Sequence, residues 1–463
     1  MSQISDIRQQ VQAGTLRLDL DYVHVRSQTG EWHHLVFPCW ISTEDGQLLF
    51  HFRAGQRNAV SPEIAQLFDL SFGGGLVTVG SSDWLEVSAR TATGVHVLLR
   101  SVSPVPHQTY SPNMVLSAAF DFGRIELPLS NMGQLSLPEV DQYLAGTLES
   151  EEERDQIAVN RPIRDWFQAV IPGVKLLIEP NGTSTVLQHP FHGELPSSRR
   201  CCYVGEVSGG EFCLENKDGD LEVIFRRDVD EASVEEARRI FDGILNAVGF
   251  MHGCHPWPGY FSHGRRGQTL ECWVRPVSEL QKGVLLPMRK SRMYFSEDGR
   301  NLFLRAAEFF SNEGEVVRYY NRSLWLMRSA CDKHVAFPVR LMTLCSILEG
   351  VLKRFSRRYR EDVDIATLRL GDADSWRSAV DRAGLDWQEF LPVYESRQTI
   401  RNQLAHGFDP DPGNRNSARE FDAYSRISGA IYILMAKRMG FRGQLERSQL
   451  EGDDLVDLGA ITT

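Results

Sequence analysis

Apolar and polar positions alternate in short runs over residues 1 to about 135. The run Leu16-Arg17-Leu18-Asp19-Leu20 shows this pattern, and Val95-His96-Val97-Leu98-Leu99 repeats most of it later. Turn sequences such as Glu44-Asp45-Gly46 and Gly73-Gly74-Gly75 separate the runs. A period of two with regular turns is typical of antiparallel strands, so we predict a largely antiparallel β region here.

The pattern changes twice before residue 300. Residues 136–170 are acidic, which favours a helical connection with a solvated face. Strand-like runs return over 174–228, where turn sequences again separate them. A helix is then predicted from Ser233, because Glu236 three residues later completes a capping box.

From about residue 312 the apolar spacing becomes helical and stays so to about 440. Asn312 with Glu315 predicts one helix start, and Ser417 with Glu420 predicts another. Gly440 suits the C-cap of the last helix. The predicted helices are one after Asn312, one through Leu341 to Phe355, a short one near Ser375–Ala383, one from Asp386 or Pro392 to Gly407, and one after Ser417. This pattern predicts a four-helix bundle with one shorter helix.

These patterns together predict an α+β multidomain protein. A β-rich antiparallel N-terminal region over 1–300, with a division near 136–172 left open, precedes an all-α bundle over 312–442. Residues 443–463 form a C-terminal tail. A chain of 463 residues is long enough for two or three such domains.

Composition and charge narrow the class of protein. A hydrophobic content of 42% is ordinary for a soluble protein, and no apolar run is long enough to span a bilayer. The eight cysteines are scattered and the N-terminus lacks a signal-peptide pattern, so we expect a cytoplasmic protein with reduced thiols. Residues 315–442 hold 21 Lys and Arg against 16 Asp and Glu, whereas the whole chain has a net charge of −11. A basic module on an acidic body indicates a local anionic ligand.

One stretch, Arg401-Asn402-Gln403-Leu404-Ala405-His406-Gly407, closes the third long helix of the predicted bundle. At about 100° per residue, Ile400 and Leu404 fall within about 20° of Val393, which marks the core-facing side of the helix. Asn402 and His406 fall on the opposite side. A lone histidine is most often a buried core residue whose hydrogen bonds are satisfied. The predicted position of His406, on the side of the helix opposite the core, does not fit that role.

The same stretch carries residues suited to acid–base chemistry. Asn402 and His406 lie four residues apart, so the amide can orient the imidazole. Gly407 is a C-cap signal, which places His406 where the helix dipole favours the imidazolium. Arg401 can hold a phosphate through a forked contact. These residues fit metal-independent RNA cleavage, in which one group takes the ribose 2′-OH proton, another protonates the 5′-oxygen, and the cation stabilises the phosphorane.

Neither a metal nor another cofactor is expected for this chemistry. His252, Cys254, His255 and His263 are the strongest alternative ligand group, but they lack the two well-spaced ligand pairs of a structural zinc site. The Arg-His spacing alone is weak, since it recurs elsewhere, as at Arg90 and His96. Its position at the end of a bundle helix distinguishes the copy at Arg401.

Two further groups support this hypothesis. Glu349 lies about 80° from the Leu341 stripe of the second helix, where a half-buried carboxylate needs a partner. Arg401 or Arg397 is a candidate partner, and an exposed, unpaired Glu349 is the alternative. The basic run at the end of that helix is a candidate RNA-binding surface, although cations at a helix C-terminus are also favoured by the dipole alone. It contains Lys353, Arg354, Arg357 and Arg358.

Arg401-Asn402 with His406 resembles the Arg-x4-6-His motif of the HEPN superfamily, whose nuclease members are helical bundles with a polar residue after the arginine. Glu349 is similar to the acidic position on their preceding helix. The layout over the whole chain resembles the ApeA-type proteins, which are bacterial anti-phage defence factors. This resemblance implies a ribonuclease acting on RNA, including tRNA, in abortive infection. It also implies a homodimer through the bundle and an N-terminal region that senses a phage-derived activator or restrains the nuclease.

Two alternatives from other classes remain open. A non-catalytic HEPN bundle would bind protein or nucleic acid without cutting. A ligand-sensing or carbohydrate-active β domain would place the main activity in residues 1–300, where no paired-carboxylate motif is readable from sequence.

Overall fold

We describe the chain from a computed structural model. In several elements only the backbone is described. The structure describes residues 3–26, 32–35, 38–53, 55–56, 59–60, 70–73, 76–79, 85–91, 93–104, 108–109, 115–120, 123–127, 164–174, 188–189, 193–194, 202–217, 219–228, 234–253, 257–265, 268–276, 297–331, 335–356, 368, 370, 372–405, 416–446 and 455–457.

The described part of the first 276 residues consists mostly of strands, as the alternating pattern predicts. A helix, α1 (Gln3–Ala13), precedes them. The strands up to residue 126 are β1 Arg17–Arg26, β2 Trp32–Leu35, β3 Cys39–Glu44, β4 Gln47–Arg53, β5 Gly55–Gln56, β6 Ala59–Val60, β7 Leu70–Gly73, β8 Leu76–Val79, β9 Leu85–Thr91, β10 His96–Pro104, β11 Gln108–Thr109, β12 Val115–Ala119 and β13 Ile125–Glu126. The later ones are β14 Arg164–Ile171, β15 Gln188–His189, β16 Gly193–Glu194, β17 Cys202–Val207, β18 Gly210–Lys217, β19 Asp220–Asp228, β20 Tyr260–Arg265 and β21 Gln268–Val274.

Fourteen of these strands form one large antiparallel sheet. Its order is β12-β4-β3-β1-β9-β10-β13-β21-β20-β14-β19-β18-β17, with β2 paired to β1 and β12 also paired to β10. Asp45 and Gly46 both have positive φ at the predicted turn between β3 and β4, a conformation typical of tight hairpin turns. The large antiparallel sheet and the helices that follow confirm the α+β class.

Two hydrophobic cores lie along this sheet. One is built by the strands before residue 128, helix α1 and two residues of β21, Cys272 and Val274. The other is built by strands from β14 onward and extends without a break into the helices of the C-terminal half. The core of the predicted bundle is therefore continuous with the second part of the sheet.

Helix α2 (Val234–His252) joins sheet and bundle. Its apolar stripe, which includes Ile240, Phe241 and Ile244, is fully buried. The stacked rings of Phe167 and Phe241, 5.4 Å apart, attach α2 to β14. Ser233, the predicted cap, lies outside the described residues.

Among the residues that the structure describes, six helices follow α2. They are α3 Glu297–Phe310, α4 Glu315–Cys331, α5 Phe337–Lys353, α6 Ala373–Arg382, α7 Trp387–Ala405 and α8 Asn416–Arg438. Asp372 caps α6 by accepting from the Ser375 amide at 2.8 Å, and Gly440 has φ +74° just after α8, as a C-cap requires. A short hairpin, β22 (Gln444–Glu446) with β23 (Leu455–Asp457), lies near the C-terminus. None of the described helices is long and apolar enough to cross a membrane.

Two sequence predictions of element bounds are corrected, one helix was not predicted, and of the two starts predicted for the third long helix the one at Asp386 is confirmed. Residues 164–170 are a strand, because their side chains alternate against β19 and β20 and do not form a helical connection. Helix α3 was not predicted, although Leu302, Ala306 and Phe310 have helical spacing. Helix α4 begins at Glu315, and the side chain of Asn312 instead donates to the Glu308 carbonyl of α3. Helix α7 begins beside Asp386, so Pro392 lies inside it.

Contacts between helix ends show which helices of the bundle run parallel and which run antiparallel. The rings of Phe337, at the start of α5, and Tyr424, in the third turn of α8, lie 5.6 Å apart. Arg438, at the end of α8, lies 6.0 Å from the ring of Phe355, just after α5, so these two helices run parallel. Lys437 donates to the carbonyl of Gly384, three residues before α7, which makes α7 antiparallel to both.

The last turn of α7 therefore lies toward the same end of the bundle as Phe337 and Tyr424. Tyr424 Oη donates to the carbonyl of Ala330 at 2.9 Å, so the end of α4 is there as well. We call this end, defined by Ala330, Phe337 and Tyr424, the motif end, because the backbone of Arg401–Ala405 approaches it.

The pair α4–α5 generates a testable prediction at Gly350. A Cβ at this position would overlap the hydroxyl of Tyr319. Gly350→Ala should lower the free energy of unfolding by about 1–3 kcal/mol, as overpacking does, although alanine ordinarily stabilises a helix by about 1 kcal/mol over glycine. Urea denaturation measures this, with Ser346→Ala, an exposed change on the same helix, as the control. An unchanged or raised stability in Gly350→Ala would contradict the packing described.

Candidate active site

A partly buried salt bridge joins α5 to α7. Arg397 Nη2 donates to Glu349 Oε2 at 2.7 Å, and Lys353 Nζ lies 3.2 Å from Glu349 Oε1. Glu349 and Lys353 are four residues apart, so they meet on one face of α5. One carboxylate thus contacts two cations. Of the two partners that the sequence offers Glu349, Arg397 makes the contact seen among the described side chains.

Arg397 is held more tightly than a surface arginine. Only 3% of it is exposed, and its guanidinium carbon lies 5.3 Å from the centre of the Trp376 ring. Trp376 is itself fully buried and donates from Nε1 to the carbonyl of Leu370 at 3.1 Å. This stacking on an aromatic face favours the cation and fixes the side chain's orientation.

One nitrogen of this guanidinium has no acceptor. Nη1 of Arg397 is buried and makes no hydrogen bond within the part of the chain that the structure describes. A buried charged donor left unpaired is costly.

The described turns of α7 have the phase that the sequence predicts. Val393 and Ile400 are buried, whereas Glu395 and Thr399 are exposed. Position 402 follows Glu395 by seven residues, which is two helical turns. Position 402 therefore lies on the same side of the helix axis as the exposed Glu395.

The residues that the sequence predicts to be catalytic are only partly covered by the structure. Arg401 and Asn402 lie in the last turns of α7, where only the backbone is described. His406 and Gly407 lie outside the described residues, as do Arg357 and Arg358 of the predicted RNA-binding run. Their roles remain predictions from the sequence.

Arg354 occupies an interior position. It is 3% exposed, its guanidinium carbon lies 3.5 Å from the centre of the Tyr319 ring, and its nitrogens bond Glu315 and the carbonyl of Gly350. These contacts fasten α5 to α4. Arg354 therefore has a structural role, and its guanidinium is not presented to RNA. Lys353 is half-buried and contacts Glu349.

Cys345 lies one turn before Glu349 on α5, close enough to the pair for both charges to influence its thiol. Burial raises the pKa of Cys345 to about 11, while Arg397 lowers it and Glu349 raises it by smaller amounts. The thiol is therefore protonated at neutral pH. Because thiolate is the nucleophilic form, Cys345 does not suit nucleophilic catalysis here.

Exposed apolar side chains lie toward the motif end. Val339 and Met342 on α5 are 50% and 49% exposed, and Phe421 near the start of α8 is 47% exposed. Because α7 runs antiparallel to α5, its residues beyond Arg397 pass the turns of α5 that carry Met342. The backbone of the last turns of α7 therefore runs toward the end of the bundle that carries these apolar side chains.

Some residues of this site were missed in the sequence. Trp376 was not singled out, since an aromatic residue in a short amphipathic helix looks like ordinary core. The four-residue spacing between Glu349 and Lys353 was a readable signal for their contact.

The zinc alternative is not supported by proximity in the described chain. Among the described residues no three His, Cys, Asp or Glu side chains are grouped as metal ligands. His263 is buried against Asp165, 3.6 Å from Nε2 to the carboxylate, and stacks on Phe167. Cys254 and His255 lie outside the described residues.

No family of known proteins matches this chain, and no curated protein or solved structure matches it either.

The salt bridge generates a second prediction. Glu349→Ala should lower the free energy of unfolding by about 1–3 kcal/mol, less than the roughly 3–5 kcal/mol for a fully buried pair, because Glu349 is partly exposed. The loss arises because Arg397 remains buried without its carboxylate. Chemical denaturation of the purified protein measures it.

Two further variants make this test specific. Glu395→Ala, at an exposed glutamate of α7, should change stability by less than about 0.5 kcal/mol. Replacing both partners, Glu349→Leu with Arg397→Met, should recover part of the loss. A Glu349→Ala variant as stable as Glu395→Ala would contradict the role assigned to the pair.

Proposed function

We propose that this chain is a metal-independent endoribonuclease of the HEPN type, with Arg401, Asn402 and His406 as its catalytic residues. The single observation that carries the proposal is that the backbone of Arg401 and Asn402 lies in the last turns of α7, a helix that the partly buried Glu349–Arg397 contact fixes to the bundle. Catalytic groups need a rigid support of this kind, because small displacements of reacting groups cost large factors in rate.

The proposed reaction needs only the chain's own groups and the RNA. A base takes the proton of the ribose 2′-OH, and the 2′-oxygen attacks the adjacent phosphorus. The bond from phosphorus to the 5′-oxygen breaks, and an acid protonates that oxygen. The products are a 2′,3′-cyclic phosphate and a 5′-OH end. Arg401 stabilises the charge on the phosphorane, His406 transfers a proton, and Asn402 orients His406.

The local charge supports an anionic substrate. Residues 315–442 are basic by five charges in a chain whose net charge is −11. Glu349 is already neutralised by Arg397 and Lys353, so it adds little repulsion toward a phosphate. RNA, including tRNA, is the substrate that we propose.

Two bundles would supply both the acid and the base, which is the reason to propose a homodimer. The apolar side chains Val339, Met342 and Phe421 lie toward the motif end and offer a surface for a second copy. By the resemblance, we further propose that the enzyme acts in the cytoplasm in abortive infection, with residues 1–300 responding to a phage-derived activator.

A second candidate function is binding without catalysis, which is compatible with the net negative charge of the chain outside the bundle. In that alternative the bundle binds RNA or protein without cleaving, and a ligand-sensing β domain regulates the binding. RNA binding that persists with no cleavage in wild type would favour it.

The catalytic proposal is tested by removing the imidazole. His406→Ala and Arg401→Ala should each lower the rate of RNA cleavage by at least about 100-fold in the presence of a chelator, as loss of an acid–base group or of a charge stabiliser does. The measurement is the decay of intact bacterial RNA with purified, folded proteins. Arg382→Ala, at an exposed arginine of α6, is the matched control and should cleave like wild type. Equal cleavage by His406→Ala would exclude the mechanism.

The homodimer is tested on its apolar surface. Met342→Glu should weaken self-association at least about tenfold, because burying an unpaired carboxylate is costly. Sedimentation or light scattering over a range of protein concentrations measures this. Gln388→Glu, exposed in the first turn of α7 at the opposite end of the bundle, should leave association unchanged. A monomeric wild type, or a Met342→Glu variant that dimerises normally, would rule out this interface.

A further inference from the structure

Helix α4 carries an exposed face of two cations and one aromatic ring. Arg318, Arg322 and Trp325 are all exposed, Trp325 at 48%. Their spacings of four and three residues place them within about 60° of one another and along about 10 Å of the helix. We call these three residues the α4 stripe.

The two arginines lack a counter-charge in the described chain. Neither forms an ion pair or a side-chain hydrogen bond with any residue that the structure describes. Glu315 is the only acidic residue within α4, and its carboxylate accepts from Arg354. The α4 stripe therefore presents two uncompensated positive charges on a protein whose net charge is −11.

Helix electrostatics do not account for this placement. Arg318 is the fourth residue of α4, at the end of its first turn, where the helix dipole disfavours a cation. The run of cations at the end of α5 differs, since the dipole there favours positive charge. The position of Arg318 is thus better explained by an anionic ligand than by the stability of the helix.

Trp325 makes the face more specific than a basic patch. An indole with half of its surface in water loses hydrophobic stabilisation unless a ligand covers it. Cations beside an exposed aromatic ring are what proteins use for single-stranded nucleic acid, where bases stack on the ring and arginines contact phosphates.

We propose that the α4 stripe binds single-stranded RNA, with Arg318 and Arg322 on phosphates and Trp325 stacked on a base. Only the choice of RNA over DNA rests on the proposed function. Along α4 the stripe runs from Arg318 toward Ala330 at the motif end. A strand bound in this direction is led toward the end of the bundle where the last turn of α7 lies.

The test measures binding without cleavage. The full chain with His406→Ala is titrated against a fluorescein-labelled 20-nucleotide RNA of mixed sequence, and anisotropy is followed at several salt concentrations. Arg318→Ala with Arg322→Ala should weaken binding about tenfold and reduce the slope of log K against log salt by about 1.4. Trp325→Ala should also weaken binding about tenfold, and Trp325→Phe should recover part of it.

The matched control is Arg377→Ala with Arg382→Ala, which removes two exposed arginines of α6 and should leave affinity and salt slope nearly unchanged. Thermal unfolding checks that every variant is folded. Equal losses in the stripe and control variants would overturn the proposal, as would a Trp325→Ala variant that binds like the parent. Polyglutamate that competes as well as RNA would show a general anion surface and also overturn it.

The two proposals fail separately. If His406→Ala cleaves RNA as wild type does, the catalytic proposal fails, while affinity still reports on the α4 stripe. If the stripe variants bind normally but wild type cuts and His406→Ala does not, only the binding proposal fails.

Discussion

The bundle depends on neutralising a cation inside it. Arg397 is almost completely buried, and removing such a charge from water costs several kcal/mol. The salt bridge from Glu349 on α5 to Arg397 on α7 offsets part of that cost. The ring of Trp376 on α6 provides a further favourable contact with the guanidinium. Because three helices contribute to one guanidinium, the rotation and position of α7 are fixed relative to its neighbours. The backbone positions of the later residues of α7, as far as Ala405, are fixed together with the helix.

A second buried arginine lies at the same, C-terminal end of α5, on the side that faces α4. Arg354 is buried between Glu315 and the ring of Tyr319, and Gly350 has no side chain where that ring approaches. Two buried arginines therefore attach α5 to α4 on one side and to α7 on the other. The continuous core beyond α4 connects this framework to α2 and the sheet, so the bundle and the second part of the sheet pack as one body of side chains.

Much of this was readable from the sequence, and the misses have physical causes. The angular positions of Val393 and Ile400 around the helix axis correctly predicted that both face the core, because burial on a helix follows a period of 3.6 residues. The sequence could not choose between Arg397 and Arg401 as the partner of Glu349, since both lie one turn apart on the same helix. Arg354 looked like part of a surface run, and only the distant Tyr319 and Glu315 show why it is buried. The helical spacing of apolar residues in α3 is visible in the sequence. The helix was missed because it lies before Asn312, where the capping signal predicts the start of the bundle.

The central claim is that Arg401 and His406 cleave RNA by attack of its own 2′-OH. The most direct measurement is the chemistry of the fragment ends, read by mass spectrometry after incubation of RNA with wild type and with His406→Ala in the presence of a chelator. We predict 2′,3′-cyclic phosphate and 5′-OH ends with wild type and no such fragments with the variant. Fragments with 5′-phosphate ends, or identical fragments from both proteins, would contradict the account.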